Sequence, residues 1–464
     1  MRFSVLLAAT ALAGCTVGPN YVAPSAPPAA QAPFIGTAQT PAVAAMAPQD
    51  DWWKLYDDPV LDSLIHDALA ANTDVRVAVA RIEKARAALR GSRAAELPST
   101  DVSAATTYGR LADSQVLPGV DRQGRETQLG LSVGYEVDLF GHVRRGVEAA
   151  RADLAAAQED ADAVRVTVVA DTVNAYVDAA ASAERLAVAR QTVALLDRSV
   201  RITGARADHG LAERLDVLRI TQLREQQEAL IPAIEADREA ALFRLALLTG
   251  RTPQDLPADA GARDAAPGLA RPIPVGDGRM LLARRPDVAA AERRLAADTA
   301  RIGVATADLY PHISLGGSVG STSVDGEPVF GAGPFNWQVG PSISWAFPNQ
   351  SAVRARIAAT RADAKADLAT FDGTVLRALA ETETALSAYR NALARQAGLT
   401  AARDAAQRAA DASLARQRVG RIDALTVLDA QRVLAQSQGD LAAATRDVAL
   451  AQVNLFRTLG GRWG

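Results

Sequence analysis

The period of hydrophobic and polar positions along this chain switches from helical to alternating and back, and the whole sequence of switches then occurs a second time. From Gln128 to Leu139 the odd positions are Leu129, Leu131, Val133, Tyr135, Val137 and Leu139, and the even ones are Gln128, Gly130, Ser132, Gly134, Glu136 and Asp138. Strict period two over this length predicts a strand with one apolar and one polar face, long enough to cross a bilayer when tilted. Gln338 to Phe347 repeats it, with Val339, Pro341, Ile343, Trp345 and Phe347 against Gln338, Gly340, Ser342 and Ser344. Shorter alternations at 101–108 and 312–319 follow Pro98 and Pro311, residues suited to a helix-to-strand change, and complete two hairpins at about 99–139 and 312–347.

After each hairpin the period becomes helical. Val143 to about Asp208 and Val353 to about Val419 contain no proline, and at ~1.5 Å per residue each predicts a helix of about 100 Å. Apolar residues recur every seven positions at Leu186, Val193 and Val200, at Leu379, Leu386 and Leu393, and at Val427, Leu434, Leu441, Val448 and Leu455. That is the seam of a coiled coil, so the helices are expected to pack side by side as a sheath. Gly210 and Gly420 end the long helices, where a left-handed cap favours glycine, and a second helix returns toward the strands in each copy.

The duplication is direct. Gln128, Gly130, Ser132, Val143 and Arg144 recur as Gln338, Gly340, Ser342, Val353 and Arg354, and Gly210, Leu215, Val217, Leu218 and Gly250 recur as Gly420, Leu425, Val427, Leu428 and Gly460. The predicted fold class is mostly α with a transmembrane β-barrel, in two structural repeats, 51–260 and 261–464. Four strands cannot close a barrel around a lumen, and an open edge in lipid leaves backbone groups unsatisfied, so several chains must pool their strands. A soluble four-stranded sheet with one solvated face is the competing reading of the alternation. Aromatic residues at the strand ends, Tyr108, Tyr135, Phe140, Trp337, Trp345 and Phe347, favour a membrane girdle.

Residues 1–14 predict a signal peptide: Arg2, the apolar run Val5 to Ala9, then Leu12-Ala13-Gly14 before Cys15. Leu-Ala-Gly-Cys resembles a bacterial lipobox, which makes Cys15 a lipidated N-terminus, and Thr16 in place of Asp resembles lipoproteins sorted to the outer membrane. Cys15 is the chain's only cysteine, so no intrachain disulfide exists. Residues 15–50, rich in Pro and Ala, read as an extended tether. Hydrophobic residues make up 49% of the chain but aromatic ones only 5%, which suits many close alanine-mediated helix contacts. A net charge of −3 offers no footprint for nucleic acid, and no enzyme motif appears. The four histidines, His66, His142, His209 and His312, lie far apart and no pair has ligand spacing on a helix, so neither a metal site nor a cofactor beyond the lipid is expected.

Trp52-Trp53-Lys54-Leu55-Tyr56-Asp57-Asp58-Pro59, Tyr135 to Gly141, Arg284-Arg285-Pro286-Asp287-Val288, Ala307 to Pro311 and Leu428-Asp429-Ala430-Gln431-Arg432 resemble the outer membrane factors of Gram-negative efflux systems, in their NodT-type lipoprotein branch. The resemblance implies a homotrimer with a twelve-stranded barrel, acting as a passive exit duct beside a periplasmic adaptor (membrane fusion protein) and an inner-membrane pump of the RND type. It implies that Leu425, Asp429 and Arg432, spaced on one helical face, narrow the pore as an iris-like gate; spacing alone leaves Asp429 a solvated surface residue. Asp216 against Arg418 or Arg421 is a candidate tip lock, and the tips around Gly210 and Gly420 are the expected adaptor docking sites. Thr426 stands where some members carry a second acidic residue, which implies a looser latch. A type I protein-secretion duct shares this architecture. A coiled-coil structural lipoprotein would explain the heptads without the strands, and a lipoprotein enzyme lacks a polar pocket in the sequence.

Overall fold

The computed structural model describes residues 16–25, 27–115, 117, 121–269, 271–324 and 327–461. The signal peptide and Cys15 lie outside them. In chain order the elements are β1 (Val43–Ala44), α1 (Pro59–Ala71), α2 (Thr73–Ala94), β2 (Ser99–Arg110), β3 (Gln123–Val137), α3 (His142–Asp208), α4 (Arg214–Glu228), α5 (Ile231–Leu248), β4 (Ile273–Pro274), α6 (Gly278–Arg284), α7 (Pro286–Ala307), β5 (His312–Val324), β6 (Phe335–Ser344), α8 (Ser351–Arg418) and α9 (Ala424–Leu459), with short 3-10 turns between them. Two compact units result: one from the N-terminal stretch through Pro24 with Arg81–Gln158 and Ala290–Asp372, the other from Ser25–Ala80, Glu159–Ala289 and Gly373–Gly464. These units cut across the two sequence repeats, because each repeat places its β-hairpin in the first and its helical tip in the second.

The first unit holds an antiparallel sheet in the order β2-β3-β5-β6, so the two hairpins meet through β3 and β5. The register turns the alternation of each strand into continuous rows. Val102 pairs with Leu131, Leu131 with Val319 and Val319 with Trp337 on one face. One residue along, Asp101, Ser132, Ser318 and Gln338 form a polar row on the other face. A one-residue slip in any pair would mix these faces, which is why the pattern specifies the register. Val102, Trp337 and Val339 are 78%, 68% and 69% exposed, so the apolar face is bare in a single chain. Among the described residues, β2 and β6 each keep one unpaired edge.

At the end of β3 the chain turns sharply into α3. Gly141 takes φ +85°, and a Cβ there would meet the Thr16 side chain at 2.5 Å, so both conformation and space demand glycine. Asp138 accepts the Arg144 backbone N–H at 2.9 Å and an Arg144 side-chain bond at 3.2 Å, tying off the exposed helix start. Arg145, buried, donates to Val17 O and to Asn20 Oδ1 at 3.3 and 2.7 Å.

In the second unit Trp52 stacks on Phe456 at 4.6 Å, and Tyr56 and Trp53 are buried beside it. Asp58 caps α1 through the N–H groups of Val60 and Leu61, while its other oxygen accepts from Tyr176 at 2.9 Å and Arg263 at 2.6 Å. Burial, with the hydrogen bond to Asp58 reinforcing it, pushes the Tyr176 phenol up to about 12. The long helices have 67 and 68 residues. Against α3 lie α1 and α2 through Ala68, Val75 and Val168, the first return arm through Leu186, Ala189 and Ile234, and α9 through Asp178–Arg446 at 2.8 Å. Helix α8 meets α9 at Ala406, Ala410 and Leu434 and through Arg395–Asp447 at 2.7 Å.

Two expectations need correction. The stretch from Thr16 to Pro48 is not a free tether: Val43–Ala44 pairs in parallel with Ile273–Pro274, Ala30 and Phe34 are buried, and Glu383 accepts the backbone N–H groups of Ile35 and Gly36. Some of its apolar residues find a groove and part of its backbone pairs with the body, while Val22, Ile35 and Met46 stay exposed. The first return arm is two helices, not one. Pro232 in the opening turn of α5 has no N–H to donate and its ring opposes a carbonyl one turn earlier, so the helix stops at Glu228 and restarts at Ile231.

Candidate functional site

Each helical hairpin closes by the same motif. Gly210 and Gly420 take φ +72° and +70°. Leu211 N donates to Arg206 O at 2.7 Å and Gly210 N to Ala207 O at 3.0 Å; Arg421 N donates to Arg416 O and Gly420 N to Gln417 O, both at 3.0 Å. These paired bonds are Schellman caps, which satisfy the last carbonyls of α3 and α8. The two tips share one cleft of about 620 Å³, whose walls include Gly210, Asp216, Arg219, Gly420, Asp423 and Leu425.

The helices that leave the tips begin differently. At α9, Asp423 accepts the Thr426 N–H at 2.9 Å and the Thr426 hydroxyl at 2.5 Å. Those bonds hold its carboxyl below the usual carboxylate range. At α4 the corresponding Glu213 makes no side-chain cap. Thr426 therefore acts as part of a helix cap, a role that its position in the sequence did not disclose.

Of the expected gate residues, Leu425 is about half exposed, and Asp429 and Arg432 pair with each other one turn apart at 2.9 Å. Gln431, between them, donates to Ser199 at 3.0 Å and ties this turn of α9 to α3. Asp216 pairs with Arg219 at 3.9 Å on its own helix. Among the described residues no ion pair joins Asp216 to Arg418 or Arg421, both of which are exposed. Asp216 is occupied within its own turn because Arg219 lies three residues on, the spacing at which helical side chains meet.

Sequence reasoning missed two arrangements. Asn72 caps α2 through Asp74 N and Val75 N and donates to Leu248 O at 2.9 Å, and in the second repeat Arg285 donates to Thr458 O at 3.1 Å while also binding Asp287 and Glu381. The same tie is made twice by unlike side chains, and only the repeat offset hinted at it. The second concerns the histidines, expected to be scattered. His142 and His312 stand edge to face, ring centroids 5.2 Å apart, with Glu136 and Asp308 beside both. The register explains it: Ser314 lies opposite Glu136, so His312 falls two residues along on the same face, and the Gly141 turn delivers His142 to it.

Two repeats of long helix, each joined to half of an amphipathic four-stranded sheet, define a mostly helical membrane protein; no helix among the described residues is long and apolar enough to cross a membrane. Residues 64–251 and 278–461 match the model of the outer membrane efflux protein family, and the chain belongs to that family. It is thus an outer membrane protein of a Gram-negative bacterium that serves efflux. The chain is 32% identical to the solvent efflux pump outer membrane protein SrpC of Pseudomonas putida, over 100% of this chain and 99% of that one. It is also 32% identical to the outer membrane protein OprJ of Pseudomonas aeruginosa, over 99% and 95% of the two chains. The solved outer-membrane channel OprN superimposes with a TM-score of 0.89 at 36% identity, covering 97% of this chain and 100% of that one.

Proposed function

We propose that the chain is one third of a passive exit duct in a tripartite efflux system. Three copies join β2 edges to β6 edges in a twelve-stranded barrel, apolar outside and polar within. The observation that carries this reading is the sheet itself: its apolar rows are exposed, its opposite face is mostly Ser, Gly, Thr and Gln with Asp101, Glu126, Glu136 and His312, and both edges await partners. Stacked aromatic pairs at the strand ends, Phe140–Tyr310 and Trp345–Phe347, both at 4.6 Å, suit the headgroup level of a bilayer.

A lipid on Cys15 fits the same frame. Val17 N donates to Phe140 O at 3.1 Å, which holds the segment that follows Cys15 in the sequence against the turn after β3. The tips around Gly210 and Gly420 dock a periplasmic adaptor, which couples the duct to an inner-membrane pump of the RND type. Contact that favours an open arrangement of the tips shifts the population toward it. Leu425, Asp429 and Arg432 form the gate. Three Asp429 carboxylates around a threefold axis repel one another, and each Arg432 offsets its own neighbour, giving a constriction that prefers cations. A lock between Asp216 and Arg418 or Arg421 belongs between chains, since within one chain Asp216 turns to Arg219. The similarity to SrpC, a solvent efflux pump outer membrane protein, supports efflux over protein secretion.

Purified protein in planar bilayers tests the reading. Trimers that conduct, with conductance raised by Asp429→Ala, are expected. A water-soluble monomer without conductance overturns the duct, and unchanged conductance in Asp429→Ala removes that residue from the gate.

A further inference from the structure

We infer that Glu136, His142 and His312 form a binding site for a divalent d-block cation, of which zinc is the natural probe, at the junction of the sheet with the first long helix. All three are in one compact unit, and one carboxylate oxygen of Glu136 with one nitrogen of each ring lie within 4.8 Å of one another. Glu136 Oε1 is 3.6 Å from His142 Nδ1 and 3.3 Å from His312 Nδ1. These separations are long for charge-assisted hydrogen bonds, which run at about 2.7–2.9 Å. They match the edge of a tetrahedron of ligands about 2.0–2.1 Å from a zinc ion, an edge of about 3.3 Å.

Asp308 completes the arrangement from behind. Its Oδ1 is 3.5 Å from Nε2 of both rings, and its Oδ2 accepts from Arg356 at 3.0 Å. At 3.5 Å these are contacts, not hydrogen bonds; a small approach would let Asp308 accept from the far nitrogens, favouring the Nε2–H tautomer and leaving the Nδ1 lone pairs for the metal. One carboxylate here serves two rings, and Arg356 orients it and balances its charge. His142 Nδ1 provides an independent sign: it is shielded from solvent and has no hydrogen-bond partner. A cation would supply the missing partner. Three protein ligands leave a fourth position for water or for a group on another molecule. Because the ligands come from the end of β3, the start of β5 and the first residue of α3, a bound ion would pin both hairpins of the sheet to the helix.

The test uses the full-length protein in detergent, purified without a histidine tag and stripped by a chelator. Titration with Zn²⁺ is expected to give one tight site per chain by calorimetry and elemental analysis. Co²⁺ should show the visible bands of a nitrogen- and oxygen-ligated site, and Zn²⁺ should raise the melting temperature. His142→Asn and His312→Asn each weaken binding at least tenfold and together abolish it. Asp308→Asn weakens it by about 10–100-fold through the tautomer it no longer selects. His66→Asn with His209→Asn leaves binding unchanged. Absence of saturable Zn²⁺ binding and of Co²⁺ bands in the unaltered protein overturns the site, whatever the variants do. So does undiminished binding in a folded double histidine variant.

Discussion

The two helical hairpins come from one repeated sequence unit, yet they are built as different mechanical parts. In the first, the return arm is split between α4 and α5 at Pro232, starts without a side-chain cap, and is held to α3 by Leu186, Ala189 and Ile234 together with the ion pairs Arg190–Glu235, Arg185–Asp237 and Arg224–Asp197. In the second, α9 runs unbroken for 36 residues from the Asp423 cap, seated on α8 by Ala406, Ala410 and Leu434. Both arms have a buried aliphatic contact and ion pairs to their long helix, so the difference lies in the joint at Pro232 and in the Asp423 cap. The second hairpin is the stiffer rod, and it carries Leu425, Asp429 and Arg432. The proposed gate, mounted on an unbroken rod, would move as a unit when its tip is pushed, while the jointed arm could flex beside it.

That contrast breaks most severely if the second arm is given the joint of the first. Ala442, buried in α9, stands at the repeat position of Pro232, and Ala442→Pro should cost ~3 kcal/mol or more, read as a lowered denaturation midpoint with loss of helical signal. Next come the tips. Gly210 and Gly420 share a left-handed conformation with nothing within 4 Å of an added Cβ, so Gly210→Ala and Gly420→Ala should each cost ~1 kcal/mol, and by the same amount. Unequal losses would show that the tips differ beyond their caps. The reverse exchange, Pro232→Ala, should fuse α4 to α5 and slow hydrogen exchange of the amides from Leu230 to Ala233.

The smallest effect is on pH. Asp423 has its carboxyl depressed by its bonds to Thr426, so its cap is fully present above the ordinary carboxylate value and is lost as pH falls through the lower folded value. Acid should therefore speed amide exchange, beyond its intrinsic pH dependence, at Thr426 in the second tip, with no matching change at the corresponding Asp216 in the first, where Glu213 makes no cap.

Much of this was legible in the residues. The alternation at 128–139 and 338–347 forecast two amphipathic strands, and the pairing rows agree with it from 128 to 137 and from 338 to 344, the strands ending two and three residues sooner than the pattern. Gly210 and Gly420 marked both helix ends. The packed segment before Pro48 was not legible, because a run of Pro and Ala has no period whether it is solvated or laid in a groove. Nor was the histidine cluster. Glu136 and His312 are separated by 176 positions, and their meeting depends on β3 pairing with β5 rather than on any local spacing.

By itself the sequence determined what each segment is and which face it turns to its neighbours, because backbone geometry fixes side-chain direction at a period of two in strands and 3.6 in helices. Tertiary structure alone decided which side chains share a site. His142 with His312, Ser199 with Gln431 and Glu383 with the backbone at Ile35 are each brought together by register, turn and packing, and chain distance carries no information about such contacts.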